Sequence, residues 1–158
     1  TQETSFQKVL AINIPKKRAY MHLDTVMTQV DRNTFTIHHE FDTAVRVYEL
    51  SKGKNNQVMI RELENKIDKI LAKVLGYPIK LIPCGGNDII SANREQWSDG
   101  ANTLCIEPGK VIVYNRNHIT NALLEQEGIT TLGFYASELS RGRGGPRCMS
   151  MPLERENL

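Results

Sequence analysis

Short apolar blocks, each closed by a turn signal, dominate the first half of the chain. "KVLAINI" (Lys8 to Ile14) is an apolar run ended by Pro15 and predicts a buried strand. "AYMHLDTVMTQVD" (19–31) alternates and is rich in strand formers. "RNTFTIHHE" follows it across an Asp31-Arg32-Asn33 turn, so the two segments predict a hairpin. "AVRVYEL" (44–50) predicts a further strand, closed by "SKGKNN". The period then lengthens. In "VMIRELENKIDKILAKVLG" (58–76), Ile60, Leu63, Ile67, Leu71 and Val74 fall three or four apart, the stripe of an amphipathic helix. Gly76 is placed to cap that helix and Pro78 to prevent its continuation. "IKLIP" (79–83) predicts another strand.

A similar order recurs further on. "NTLCIE" and "KVIVYN" predict two strands joined by Pro108-Gly109. "HITNALLEQEG" predicts a helix with Asn117 or Thr120 as N-cap and Gly128 as its stop, and "ITTLGFY" a strand. Strand–strand–helix–strand is thus expected twice, over Tyr20–Pro83 and Asn102–Tyr135. The expected class is α/β, one domain over 1–158, because no low-complexity linker divides the chain. "RCMSMP" (147–152) reads as a strand whose partner is absent. The chain enters a strand almost at once and has no initiator Met, so a piece of a longer protein is expected.

Composition narrows the classes. The 158 residues carry 40% hydrophobic and 24% charged side chains, the globular range. A net charge of +2, with no basic stripe interleaved with aromatics, gives no case for nucleic acid. No apolar run reaches a membrane span and no signal peptide opens the chain. Three widely spaced cysteines, Cys84, Cys105 and Cys148, make neither a disulfide framework nor a zinc site. A reducing, cytoplasmic setting is expected.

Few residues invite chemistry. If "MHLDT" is a strand, His22 and Asp24 share a face about 6.5 Å apart. Such a pair could flank a small ligand or be an incidental polar pair on a solvated strand; spacing alone favours the second. Cys148 ends "RGRGGPRC", close to Arg141, Arg143 and Arg147. Positive charge would favour its thiolate, while "CMSMP" equally suits plain burial, and the residues leave both readings open. Cys84 and Cys105 are weaker candidates. His38 and His39 would point to opposite faces of a strand, so they cannot share a metal and read as solvated. "NREQWSDGANTL" groups Arg94, Glu95 and Asp99 around Trp97. It reads either as a buried polar network or, slightly favoured, as a surface loop pinned by the indole.

Four stretches together resemble a family. "AINIPKKRAYMHLDTVMT", "REQWSDGANTL", "PGKVIVYNRNHITNALLEQEGI" and "ELSRGRGGPRCMSMP" are similar, in order, to the C-terminal part of bacterial arginine deiminases. The resemblance implies a partial pentein, an α/β propeller built from repeated ββαβ units. It implies hydrolysis of L-arginine to L-citrulline and ammonia through a covalent cysteine adduct, with no metal or cofactor. By matched position, Cys148 would be the nucleophile and His22 the acid/base. Asp24 would grip the substrate guanidinium, and Arg143 would lie near the substrate carboxylate on a mobile loop. A second Asp and a Glu that orients the histidine belong to the family's N-terminal half and match nothing here. That half is therefore an expected partner. A homo-oligomer is compatible, and nucleic acid and membrane are not expected. The alternatives are an inactive assembly or binding half, and a related guanidino-modifying hydrolase such as an agmatine deiminase.

Overall fold

The computed structural model describes residues 7–43 and 45–154. Its described strands form three separate three-stranded sheets. In the first, β1 (Lys8–Asn13) pairs antiparallel with β4 (Arg46–Lys52), which pairs antiparallel with β5 (Val58–Leu63). In the second, β2 (Met27–Gln29) is antiparallel to β3 (Thr34–Ile37), which is parallel to β6 (Lys80–Pro83). In the third, β7 (Leu104–Glu107) is antiparallel to β8 (Lys110–Tyr114), which is parallel to β9 (Thr130–Phe134). The last two sheets share one connectivity. In the third, helix α5 (His118–Gln126) makes the parallel crossover. In the second, the crossover holds α2 (His39–Thr43), the β4–β5 hairpin and α3 (Ile67–Leu75), so that hairpin is an excursion that meets β1.

Two apolar clusters hold the sheets. Val26, Phe35, Phe41, Val47, Ile67 and Leu71 lie in the first. In the second, Ile82 of β6 packs with Val111, Val113, Leu124 and Ile129 of the third unit, so this cluster ties the last two sheets together. Burying each such side chain is worth about 1.5–3 kcal/mol. No helix among the described residues is long and apolar enough to cross a membrane.

Six local expectations change. β1 is a strand as expected, but none of its residues is buried. The 58–76 segment is not one helix. Val58–Leu63 pairs along β4, and only Ile67–Leu75 is helical, ending at Gly76 with φ +84°. Apolar residues at Val58, Ile60 and Leu63 fit a strand as well as a helix, and the open edge of β4 decides between them. The segment 19–31 is not one strand: a helical turn, α1 (Leu23–Val26), precedes β2. "NREQW" belongs to a helix, α4 (Ile89–Trp97), started by Asp88, whose carboxylate accepts from Ser91 N at 2.8 Å. "RCMSMP" is a succession of turns, not a strand. His38 and His39 do not alternate on a strand. β3 ends at Ile37, His38 is fully buried, and the two rings lie 4.3 Å apart.

Candidate active site

The segment "MHLDT" is shaped by a turn. His22 is extended, at φ −146° and ψ 175°, and serves as N-cap of α1. The turn that follows folds Asp24 back toward the ring, so Asp24 Oδ1 lies 3.0 Å from His22 Nδ1. The two side chains are thus neighbours across a turn at 3.0 Å, not along a strand face at the expected spacing of about 6.5 Å. Threonines fix the turn. Thr25 Oγ1 donates to His22 O at 2.6 Å and Thr28 Oγ1 to Asp24 O at 2.9 Å. Gln96 of α4, fully buried, donates to Thr25 O at 2.6 Å and locks α1 from below.

The Cys148 loop is tethered from three sides. Tyr114 of β8 donates its hydroxyl to Gly144 O at 2.7 Å. Gly144 N donates to Asp99 Oδ2 at 3.0 Å, and Cys148 N to Asn102 Oδ1 at 3.0 Å. These bonds bring Cys148 Sγ to 3.9 Å from His22 Nδ1 and 3.9 Å from Asp24 Oδ2. His22 and Asp24 also line an open cleft of about 900 Å³, with Arg147 and Pro152 on its wall.

Of the two readings of Cys148 left open by the sequence, the electrostatics do not favour a thiolate made by arginines. The Cys148 thiol sits above its ordinary pKa, first because it is partly buried and next because the Asp24 carboxylate faces it. The Gly145 backbone and the Asn102 side chain oppose that shift, and Asp99 adds to it. Two of the three neighbouring arginines are engaged elsewhere, and the third, Arg147, lines the cleft. Arg141 pairs with Glu138 at 3.4 Å. Arg143 lies over the Trp97 ring at 4.3 Å, and its Nη2 is 3.5 Å from Asp99 Oδ1, while Nε and Nη2 are buried without a hydrogen bond. Its backbone has φ +63°, in the region non-glycine residues seldom occupy. The structure therefore gathers His22, Asp24 and Cys148 and sets Arg143 apart.

The sequence underrated what lies beneath. Glu95 and Asp99 are buried, while Trp97 is half exposed. Glu95 receives Ile119 N at 2.9 Å, Thr120 N at 2.8 Å and Thr120 Oγ1 at 2.6 Å. A carboxylate from α4 therefore caps α5. Asn117 stands at the N-cap position with no side-chain capping bond. Asn102, also fully buried, was not singled out. The polar density of "REQWSDGAN" was the visible signal for all three.

Other candidates do not join the cluster. Cys84 is fully buried, its thiol pushed up to about 12 by burial. Cys105 donates its thiol toward Val30 O at 3.5 Å. Burial, then the neighbouring His39, lowers His38 to about 4, so it is neutral at physiological pH. His118 is exposed and contacts Arg116 O. His22, Asp24 and Cys148 place one donor atom each within 4.8 Å, a set a divalent cation could use. A thiol beside an imidazole and a carboxylate is equally the equipment for covalent and proton-transfer chemistry.

The chain is also similar to known proteins. It is 53% identical to an arginine deiminase of Clostridium perfringens over 158 residues, 99% of this chain and 38% of that protein. It is 51% identical to an arginine deiminase of Borrelia duttonii, over 99% of this chain and 39% of that protein. The chain thus spans about two-fifths of the length of these curated relatives. In fold it is similar to SxtG, an amidinotransferase from Microseira wollei in the saxitoxin biosynthetic pathway. That match has a TM-score of 0.56 and 15% identity, and covers 87% of this chain and 32% of the other. A sequence model of arginine deiminase matches residues 1–155, and the chain belongs to the arginine deiminase family.

Proposed function

We propose that the longer protein containing this chain hydrolyses L-arginine to L-citrulline and ammonia, with Cys148 as nucleophile and no metal or cofactor. The convergence of Cys148 Sγ, His22 Nδ1 and Asp24 Oδ2 within 3.9 Å supports this reading. A guanidinium is delocalised and a poor electrophile, so its plane and charge must be fixed before sulfur can reach the central carbon. Asp24 accepts guanidinium N–H bonds and holds that plane. The substrate cation also offsets the Asp24 charge facing the thiol, which lowers the thiol pKa once arginine is bound. The Cys148 thiolate adds to the central carbon. His22 then gives a proton to the nitrogen that leaves as ammonia. Water adds to the resulting S-alkylthiouronium while His22 takes its proton, the C–S bond breaks, and citrulline departs with the thiolate restored.

In this reading Arg143 meets the substrate carboxylate. To do so it leaves Trp97 and Asp99; its positive φ, and guanidinium nitrogens that make no hydrogen bond there, make the resting position costly to hold. The two sheets of shared connectivity are taken as units of a partial pentein propeller. An N-terminal half would supply the remaining units and a second carboxylate, and alone the chain is expected to be inactive. The deciding experiment is a substrate panel on the longer protein. Citrulline from arginine, lost in Cys148→Ala, supports the reading. Turnover of agmatine but not arginine overturns the substrate, and turnover by the isolated chain overturns the need for a second half.

A further inference from the structure

We propose that Asn102 is a positioning residue that sets the Cys148 thiol against the His22–Asp24 turn. The inference rests on the reading above, in which those three groups do the chemistry. Asn102 is fully buried and its one amide spans two segments far apart in sequence. Oδ1 accepts from Cys148 N at 3.0 Å. Nδ2 donates to Asp24 O at 2.9 Å. The main chain joins in, since Arg147 N donates to Asn102 O at 3.4 Å. No other side chain is recorded as bonding the backbones of both Cys148 and Asp24 among the described residues. One planar group therefore bonds directly to the backbones of both residues whose side chains carry the sulfur and the carboxylate.

Gly145 confirms how tight this joint is. A Cβ there would lie 2.6 Å from Asn102 Oδ1, 2.6 Å from Asn102 O and 2.7 Å from Asn102 Cβ. Its backbone does not need the left-handed region, so contact with Asn102 alone demands glycine. The same amide also counters burial and Asp24 in the ionisation of Cys148. Asn102 thus bears on both the place and the charge of the sulfur. A misplacement of about 1 Å at a reacting atom costs on the order of a hundredfold in rate.

The test uses the longer protein and two variants. Asn102→Asp keeps the acceptor for Cys148 N and removes the donor to Asp24. Gly145→Ala leaves the amide and crowds it. Expected for Asn102→Asp is a kcat about a hundredfold lower with KM for arginine changed less than threefold. The pH midpoint of Cys148 alkylation by iodoacetamide should also rise. Because the new carboxylate would itself raise that midpoint, the discriminating shift is the one in Gly145→Ala, which adds no charge; a merely structural asparagine would lower the melting temperature there without moving it. For Gly145→Ala, kcat should fall at least about tenfold with a smaller midpoint shift. A folded Asn102→Asp protein with kcat within about twofold of wild type and an unmoved midpoint overturns the proposal. If that variant does not fold, Gly145→Ala decides alone, and unchanged kcat sinks the idea. Absence of arginine turnover in the wild type counts against the function, while the alkylation midpoint still tests Asn102.

Discussion

Two polar clusters lie back to back in this chain and obey opposite rules. The one at His22, Asp24 and Cys148 is open to a cleft, and its thiol is only loosely met at 3.9 Å. The one at Glu95, Asp99 and Asn102 is buried, with bonds of 2.8–3.0 Å to backbone groups of α5, the Cys148 loop and the α1 turn, and one of 2.6 Å to the Thr120 hydroxyl. A buried polar group costs free energy unless bonded, so the inner cluster is built for satisfaction. An outer cluster that bound its own groups as tightly would have nothing left for a ligand. The candidate site here sits on a scaffold of polar groups rather than directly on the apolar core.

The comparison can be broken by substitutions that should have unlike effects. Under the proposed function, Cys148→Ala should abolish arginine turnover, a loss on the order of 10⁴-fold or more, with little change in melting temperature. A large loss of stability instead would make Cys148 a structural residue. Glu95→Ala should do the reverse. It leaves Ile119 N and Thr120 N without their acceptor, and unfolding in urea should show a loss of about 3 kcal/mol. A loss below about 1 kcal/mol would mean that α5 does not depend on its borrowed cap.

Acid should probe a third polar site, around His38. That ring faces Tyr20 at 3.1 Å from its Nδ1, the His39 ring and the nearby Glu40 and Lys17 charges, with Asn93 contributing a hydrogen bond. Its pKa falls from 6.5 to about 4 on folding. Between those values the unfolded chain binds more protons, so stability is full above pH 6.5 and declines as pH falls toward 4. The decline should reach up to about 3 kcal/mol. Denaturant titrations of wild type and His38→Gln between pH 7 and 4 should converge as the pH drops. Parallel curves would show that His38 does not titrate in this way. The smallest effect concerns thiol labelling. Near neutral pH, iodoacetamide should modify Cys148 before Cys84, which burial keeps neutral up to about 12. Labelling of Cys84 first would mean that the inner cluster opens more readily than the outer one.

The C-terminal unit was readable because its signals agree. Val111 and Val113 alternate into the core, Gly109 turns the hairpin, and Leu124 lies on the buried face of α5. The turn at His22 was not readable, because threonine hydroxyls and Gln96 impose it from outside the segment. Helix α4 was hidden by its own job. Glu95 and Gln96 take inward positions that a periodicity reading expects to be apolar, while Ile89 and Ile90 lie exposed. Leu63 suits either a helix stripe or a strand, and its pairing with Val47 settles the matter only in three dimensions. The family motifs named Cys148, His22, Asp24 and Arg143, but not the amide that joins two of them.

The excursion in the second sheet has a consequence for how the chain reaches this state. Thr34 must find Lys80 across α2, β4, β5 and α3, whereas Lys110 needs only α5 to meet Thr130. The longer closure costs about 0.7 kcal/mol more in chain entropy, and distant pairings form late. The third sheet should therefore assemble first, carrying Tyr114 and with it the loop that ends in Cys148. His22 and Asp24 arrive with the slower sheet. During folding the sulfur would wait without its imidazole and carboxylate, and an oxidant or alkylating agent would find it most easily in that interval.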